Sequence, residues 1–461
     1  MPLRAKRGRK VVLTSNMSAD TLLLNGKILH NGELVEGCVA FDEGKIFYVG
    51  KEAAAPKADE RIDLKGGIIL PGPIDAHTHL RDMGQTQKED FYTGTRSALA
   101  GGFTTVLDMP NSIPPTDNPQ HLKQKLEAAR SKIVANVGFY GAFDADLTCV
   151  EEMAELGIIG FKVFTIKREP FNGDDDQAVE KALLSANQVG LPVAFHAEDL
   201  KTIEHREAKL KASGNRSPSS FAFSHPPEAE RSAVARVLAL ARKTGAMVHF
   251  CHLSSFEGLQ LIKEARRSGL AITCEVGPHH LFLSDKEVLA RGGVAVVDPP
   301  LREERHLRAL FKGLVEGDID LVASDHAPHT LKEKTSESVW SISPGFPGLE
   351  TTLPIMLTAV NEGMLTLSRL VEVLAERPAK VFNLSSKGRL SKGFDADVTV
   401  VDLKRSFVID PDEFQSKAKY SPFKGFKASG RAIKVFVDGR LAMDEGKILA
   451  EPGSGSLVLR V

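Results

Sequence analysis

One unit recurs through the middle of this chain: a short apolar run, a polar or functional tip, and then an amphipathic stretch with helical period. The runs are IIL before His77, TTVLDM before Pro110, VANVGFY near Tyr140, IIGFKVF around Lys162, PVAFHAE, MVHFCHL, AITCEV and DIDLVASD, eight in all between Ile68 and Asn383. A strand that is apolar on both faces belongs to a parallel sheet covered by helices. Eight strand–helix units fit a closed (β/α)8 barrel, the TIM barrel. An open doubly wound sheet is the alternative, disfavoured because no Gly-rich phosphate loop follows the first strand. Two helices carry clear punctuation. EAERSAVARVLALARKTG stops at Gly245, and SSFEGLQLIKEARRSG has Ser254 or Ser255 as N-cap and Gly269 as terminator.

A barrel of this kind brings the C-terminal ends of its strands to one face, so the tips of the runs form one site. The first tip is PGPIDAHTHLRD, in which His77 and His79 occupy positions i and i+2. Such positions share a face of a strand and can aim two nitrogens at one point, a geometry suited to a metal. Lys162, His196, His252 and Asp325 sit at or near the ends of later runs. A single histidine so placed is often a hydrogen-bonded core residue, and a strand-end lysine can pair its ammonium with an aspartate such as Asp325. Four histidines and an aspartate gathered without partners would cost several kcal/mol to bury, which favours a shared ligand.

The 59 basic and 60 acidic residues nearly cancel, so there is no electrostatic case for nucleic acid or an anionic membrane surface, and a small molecule is the expected partner. Four cysteines without a CxxC pair point to a reducing compartment, the cytoplasm, and no apolar run reaches the ~18 residues of a membrane span. The basic start, residues 1–19, has no apolar segment of signal-peptide length and reads as a disordered tail. Residues 20–67 and 384–461 share short apolar segments separated by Asn-Gly, Asp-Gly and Glu-Gly turns, and are expected to form one small β-sandwich domain from both termini, flanking a barrel over 68–383.

Taken together, PGPIDAHTHLRD, GFKVF, FHAED, CHLSS and SDHAPH resemble the metal-dependent cyclic amidohydrolases of the urease-like superfamily, and most closely the long-chain dihydroorotases. The resemblance spans residues 20 to 455. It implies two zinc ions per subunit, bridged by a carbamate formed from CO₂ on Lys162, with manganese or cobalt also fitting the N and O donors. His77, His79, Lys162 and Asp325 would hold one metal, and His196 and His252 the other. It further implies attack on a ring amide by a hydroxide between the metals, with Asp325 as the general base that passes the proton to the leaving nitrogen, in the reversible interconversion of dihydroorotate and N-carbamoyl-L-aspartate in pyrimidine biosynthesis. Arg81, Asn111 and His329, beside His79, would receive the substrate carboxylate, and the backbone at Phe346 and Pro347 would face the pyrimidine ring.

Two positions depart from the pattern. Asp298 stands where the family carries Asn, and its carboxylate would repel an anionic substrate unless it is protonated or compensated by Arg302 or Arg81; Gly277 replaces a Thr before His279 and His280, which are read as structural. The polar segment Thr330–Gly345 after Asp325 reads as a lid. The resemblance also implies a homodimer and an association with aspartate transcarbamoylase. Allantoinase or dihydropyrimidinase/hydantoinase activity is the nearest alternative, and a catalytically silent scaffold a second; the intact ligand set argues against silence.

Overall fold

The computed structural model describes residues 18–460. The expected disordered tail lies outside that range except for its last two residues, and Ala19 already opens the strand Ala19–His30.

Eight strands run parallel in chain order: β1 Ile74–Thr78, β2 Thr105–Asp108, β3 Asn136–Ala142, β4 Gly160–Phe164, β5 Val193–His196, β6 Val248–Phe250, β7 Ile272–Val276 and β8 Leu321–Val322. Helices fill the connections, and the two with clear sequence punctuation form as expected. Pro227–Thr244 ends at Gly245, whose φ of 69° is a left-handed cap. Glycine adopts that conformation at little cost. Phe256–Arg267 begins where the Ser255 hydroxyl accepts the Gly258 N–H. Between β8 and β1 the barrel is drawn together by a parallel bridge from Thr78 to His326. Buried Asp75 of β1 adds to this by accepting the Ser324 N–H at 3.1 and 3.2 Å and the His77 N–H at 3.2 Å.

The first apolar run is the exception to the strand assignment. Ile68–Pro71 does not enter the barrel; it pairs parallel with Ala19–His30 and antiparallel with Val398–Val408 in a second, mixed sheet. The barrel strand begins only at Ile74, because Pro71 and Pro73 lack the N–H that a continuous ladder requires. Gly72 between them passes so close to Thr104 that an added Cβ would lie 2.2 Å from its Oγ1. One apolar stretch is thereby cut into strands of two different sheets.

That second sheet joins both ends of the chain. Ala19–His30, Glu33–Asp42 and Lys45–Gly50 lie on one side of Ile68–Pro71, and Val398–Val408, Lys427–Val437, Arg440–Asp444 and Lys447–Ile448 on the other. Its core packs Leu23, Val39, Phe41, Ile69, Val398 and Phe436. At the junction with the barrel, the buried Lys387 ammonium lies 2.5 Å from Asp397 and 3.1 Å from Asp395, and Asn136 at the start of β3 donates to Asp397 at 3.2 Å. Burial works against the charge on Lys387, but the two aspartates outweigh it and hold its pKa above the usual lysine value.

Removing one member of such a cluster leaves buried charge unpaired. Lys387→Met should therefore cost about 3–5 kcal/mol of stability, read as a lower midpoint in urea denaturation; an unchanged midpoint would mean that the cluster does not hold the sheet to the barrel.

Candidate metal centre

Five of the six expected ligands lie near or just beyond the end of a barrel strand, and Lys162 lies at the middle of one. His77 is in β1 and His79 just beyond it, Lys162 in β4, His196 at the end of β5, His252 just past β6 and Asp325 just past β8. All six are buried. His77 Nε2 and His79 Nε2 both lie 3.3 Å from Asp325 Oδ1, and one donor atom from each of the three fits within 4.8 Å. Opposite them, His196 Nδ1 lies 3.1 Å from His252 Nε2. Arg81, His252 and Asp325 adopt φ values of 61°, 33° and 48°. These three left-handed conformations fall where the chain leaves a barrel strand and turns into the site.

The far sides of the rings are fixed, which turns the remaining nitrogens inward. His77 Nδ1 is 2.5 Å from Glu275 Oε1, His79 Nδ1 is 2.7 Å from Asn111 Oδ1, and His196 Nε2 is 2.9 Å from Glu198 Oε2. A carboxylate or amide oxygen on one ring nitrogen holds the proton there and leaves the other nitrogen a lone pair for a metal. Burial drives His79 down to about 3, His196 to about 4 and His252 well below the ordinary histidine value, so these rings are neutral. Burial also opposes charge on His77, but Glu275 overrides it and pushes His77 up to about 10, so without a cation the ring is charged, and a metal at Nε2 would take the place of that second proton. Two buried carboxylates, Glu275 and Asp325, thus demand positive charge where the rings converge. His252 Nδ1 is buried with no hydrogen-bond partner. A divalent cation answers that demand, and the donor set fits one.

Lys162 points elsewhere than its ion-pair reading expects. Its Nζ makes no contact with Asp325 within ion-pair distance; it lies 2.8 Å from Cys251 Sγ and 5.0 Å from the centre of the Phe164 ring.

A cavity of about 240 Å³ opens over the five imidazole and carboxylate ligands, and Arg81, Asn111, Asp298 and His329 all wall it. Phe346 and Pro347 do not. Phe346 is buried with its ring 5.1 Å from that of His279, and its carbonyl is taken by the Ala327 N–H at 3.0 Å, so the wall there is formed by Ser343, Pro344 and Gly345 instead. Those three close the segment read as a lid, which is anchored by buried Lys334 donating to the Val296 carbonyl at 2.9 Å and the Ser343 carbonyl at 2.8 Å. Asp298 lies 3.9 Å from His196 and 3.8 Å from His225, and Arg302 turns to Glu198 at 3.7 Å, leaving Asp298 uncompensated by either arginine. Burial, with Glu198 adding to it, pushes Asp298 up to about 7, so a substantial fraction is protonated at neutral pH.

Three residues of the site escape a reading by strand ends: Glu275, Glu198 and Cys251. Glu275 spans His77 and His249, the latter at 3.0 Å, and also accepts the His252 N–H at 3.2 Å. Its signal was a lone charge inside the apolar run AITCEV.

An eight-stranded parallel barrel with a buried cluster of histidines and an aspartate at its strand ends, under a small cavity, defines a metal-dependent hydrolase. The chain belongs to the amidohydrolase family, whose profile matches residues 68–442. It is 39% identical to a dihydroorotase of Methanothermobacter thermautotrophicus over 90% of this chain and 93% of that protein. Identity with a dihydroorotase of Methanosarcina acetivorans is 36%, over 95% of each. Among solved structures, an L-hydantoinase (dihydropyrimidinase) from Arthrobacter aurescens superposes with a TM-score of 0.93 at 31% identity, covering 96% of this chain and all of that one. A dihydropyrimidinase from Brevibacillus agri superposes with a TM-score of 0.90 at 29% identity, covering 95% of this chain and 98% of that one. The chain is a hydrolase of cyclic amides, and among the described residues no helix is long and apolar enough to cross a membrane.

Because Glu275 fixes the tautomer of His77, Glu275→Gln should weaken metal affinity by about 10–100-fold, measured by competition with a chromophoric chelator; unchanged affinity would reduce Glu275 to a packing residue.

Proposed function

We propose that the chain is a dihydroorotase, interconverting dihydroorotate and N-carbamoyl-L-aspartate in pyrimidine biosynthesis. The observation that carries this reading is the end of the cavity where Arg81, Asn111 and His329 meet. Asn111 spends its carbonyl oxygen on His79, which leaves its amide N–H donors for an anion. A guanidinium and an amide donor together suit a carboxylate, which dihydroorotate has and dihydrouracil lacks. The dihydroorotase relatives at 36% and 39% identity point the same way.

In this reading His77, His79 and Asp325 would hold one zinc and His196 and His252 a second, with Lys162, carboxylated by CO₂, as a ligand to both. Bound there, the metal pair supplies Lewis acidity and a water ionised near neutral pH. The residues of the chain do the rest. Arg81, Asn111 and His329 orient the ring through its carboxylate, and Glu275 and Glu198 hold the imidazoles in register. Asp325 serves as the base that accepts a proton and returns it to the departing amide nitrogen. A homodimer in the cytoplasm, associated with aspartate transcarbamoylase, belongs to the same reading.

The hydantoinase and dihydropyrimidinase structures favour a second reading, in which the ring is uncharged and Asp298 faces it directly. Purified protein assayed for metal content and for hydrolysis of dihydroorotate, allantoin and dihydrouracil separates the two. Dihydroorotate should be the preferred substrate, and Arg81→Ala should raise its KM by about 30-fold or more, as expected for a charge-paired contact worth about 2–5 kcal/mol. Preference for dihydrouracil, with Arg81→Ala silent, would transfer the assignment to the second reading. Lys162→Ala should lose metal and turnover together; full activity in that variant would remove the bridging role.

A further inference from the structure

Lys88 lies in the loop after β1, largely buried, with its ammonium inside the cluster that faces the substrate. Its Nζ is 2.8 Å from Glu333 Oε1 and 3.1 Å from His329 Nδ1. Glu333 is itself fixed, since its other oxygen accepts the Thr330 N–H at 2.9 Å and the Thr330 hydroxyl at 2.7 Å. On the other side of the imidazole, His329 Nε2 lies 3.0 Å from the Pro344 carbonyl and 3.2 Å from Arg81 Nη2.

An ammonium and a guanidinium carry only donors. Burial first, then Arg81 and Lys88, drives His329 down to about 2, so its ring is neutral, with one N–H and one lone pair. The nitrogen facing Lys88 must be the lone pair, because Nδ1 has only a donor to meet. The proton is therefore on Nε2, which donates to the Pro344 carbonyl. Arg81 Nη2 then faces an N–H and finds no acceptor in the ring. Arg81 remains tethered only through Nε, which donates to the Pro328 carbonyl at 3.2 Å.

The geometry points to Lys88 as a positioning residue: acting with the Pro344 carbonyl to hold His329 in the Nε2–H tautomer, it denies Arg81 an internal acceptor and keeps the guanidinium fork free for a substrate carboxylate. This rests on the carboxylate reading of the cavity given above. Without the ammonium, the opposite tautomer becomes accessible, and its Nε2 lone pair would stand 3.2 Å from Arg81. Arg81 would then bond the ring, and substrate would compete with His329 for it.

The test uses the metal-loaded protein with ¹⁵N-labelled histidine, His329 being assigned by its own substitution. The wild-type ring should show the Nε2–H pattern, Lys88→Met should shift it towards Nδ1–H, and Lys88→Arg should keep it. In kinetics, Lys88→Met should raise KM for dihydroorotate about tenfold with kcat nearly unchanged, the signature of lost binding shared by ground and transition states. Lys88→Arg should restore most of it. In a His329→Ala background, Lys88→Met should add no further loss, since the two act as one unit. Unchanged His329 resonances in Lys88→Met, or an equal penalty in the His329→Ala background, would overturn the proposal. A tautomer shift in a protein that turns over no dihydroorotate would uphold the lock and overturn the assigned substrate.

Discussion

The site depends on one buried carboxylate. Glu275 reaches from β7 to His77 on β1 at 2.5 Å and to His249 on β6 at 3.0 Å, and it accepts the N–H of His252. Burial opposes its charge, yet His77 and His249 hold its carboxyl well below the usual range, so it stays ionised. A full negative charge sealed in a barrel must be answered nearby. Its answer is the convergence of imidazoles at the strand ends, and the same charge fixes which nitrogen of His77 is free. Asp325 repeats the arrangement from β8. The metal site is thus a consequence of where the fold places two carboxylates as much as of where it places four histidines.

Seven of the eight barrel strands were legible in the sequence because burial on both faces leaves an uninterrupted apolar run, and polar residues at the ends of such runs stand out. His196, His252 and Asp325 could be read that way. The first strand could not, since Pro71 and Pro73 divide one apolar stretch between two sheets and only the pairing partners show where the division falls. Glu275 was hidden for a different reason: its role depends on His77, 198 positions away in the chain. Phe346 and Pro347, read as facing the ring, do not line the cavity, because loops carry no period from which to read an orientation. A shift of a few residues, from Phe346 to Pro344 and Gly345, separates a buried packing residue from a cavity wall.

The proposed function separates bond cleavage from ring recognition. The fold is shared with a hydantoinase at 31% identity, and the chain is 39% identical to a dihydroorotase, so the barrel alone does not choose the ring that is opened. In the dihydroorotase reading that choice would lie in the loops after β1, β2 and β8, whose Arg81, Asn111 and His329 line one cavity. Loops on a rigid barrel can change recognition while leaving the strand-end chemistry untouched.

The strand Ile68–Pro71 joins residues from opposite ends of the chain, pairing on one side with Ala19–His30 and on the other with Val398–Val408. During synthesis the early strands emerge long before the late ones exist. Until the ribosome has passed Val408, the edge of Ile68–Pro71 that will meet Val398–Val408 has no partner of its own, and an unpaired apolar edge is a template for association with other chains. The barrel's helices and strands can form meanwhile, one neighbouring pair at a time, but the nascent protein must carry its first hairpins unsealed through most of translation. Protection of that edge by a chaperone, or rapid docking against the growing barrel, is therefore a requirement of the topology.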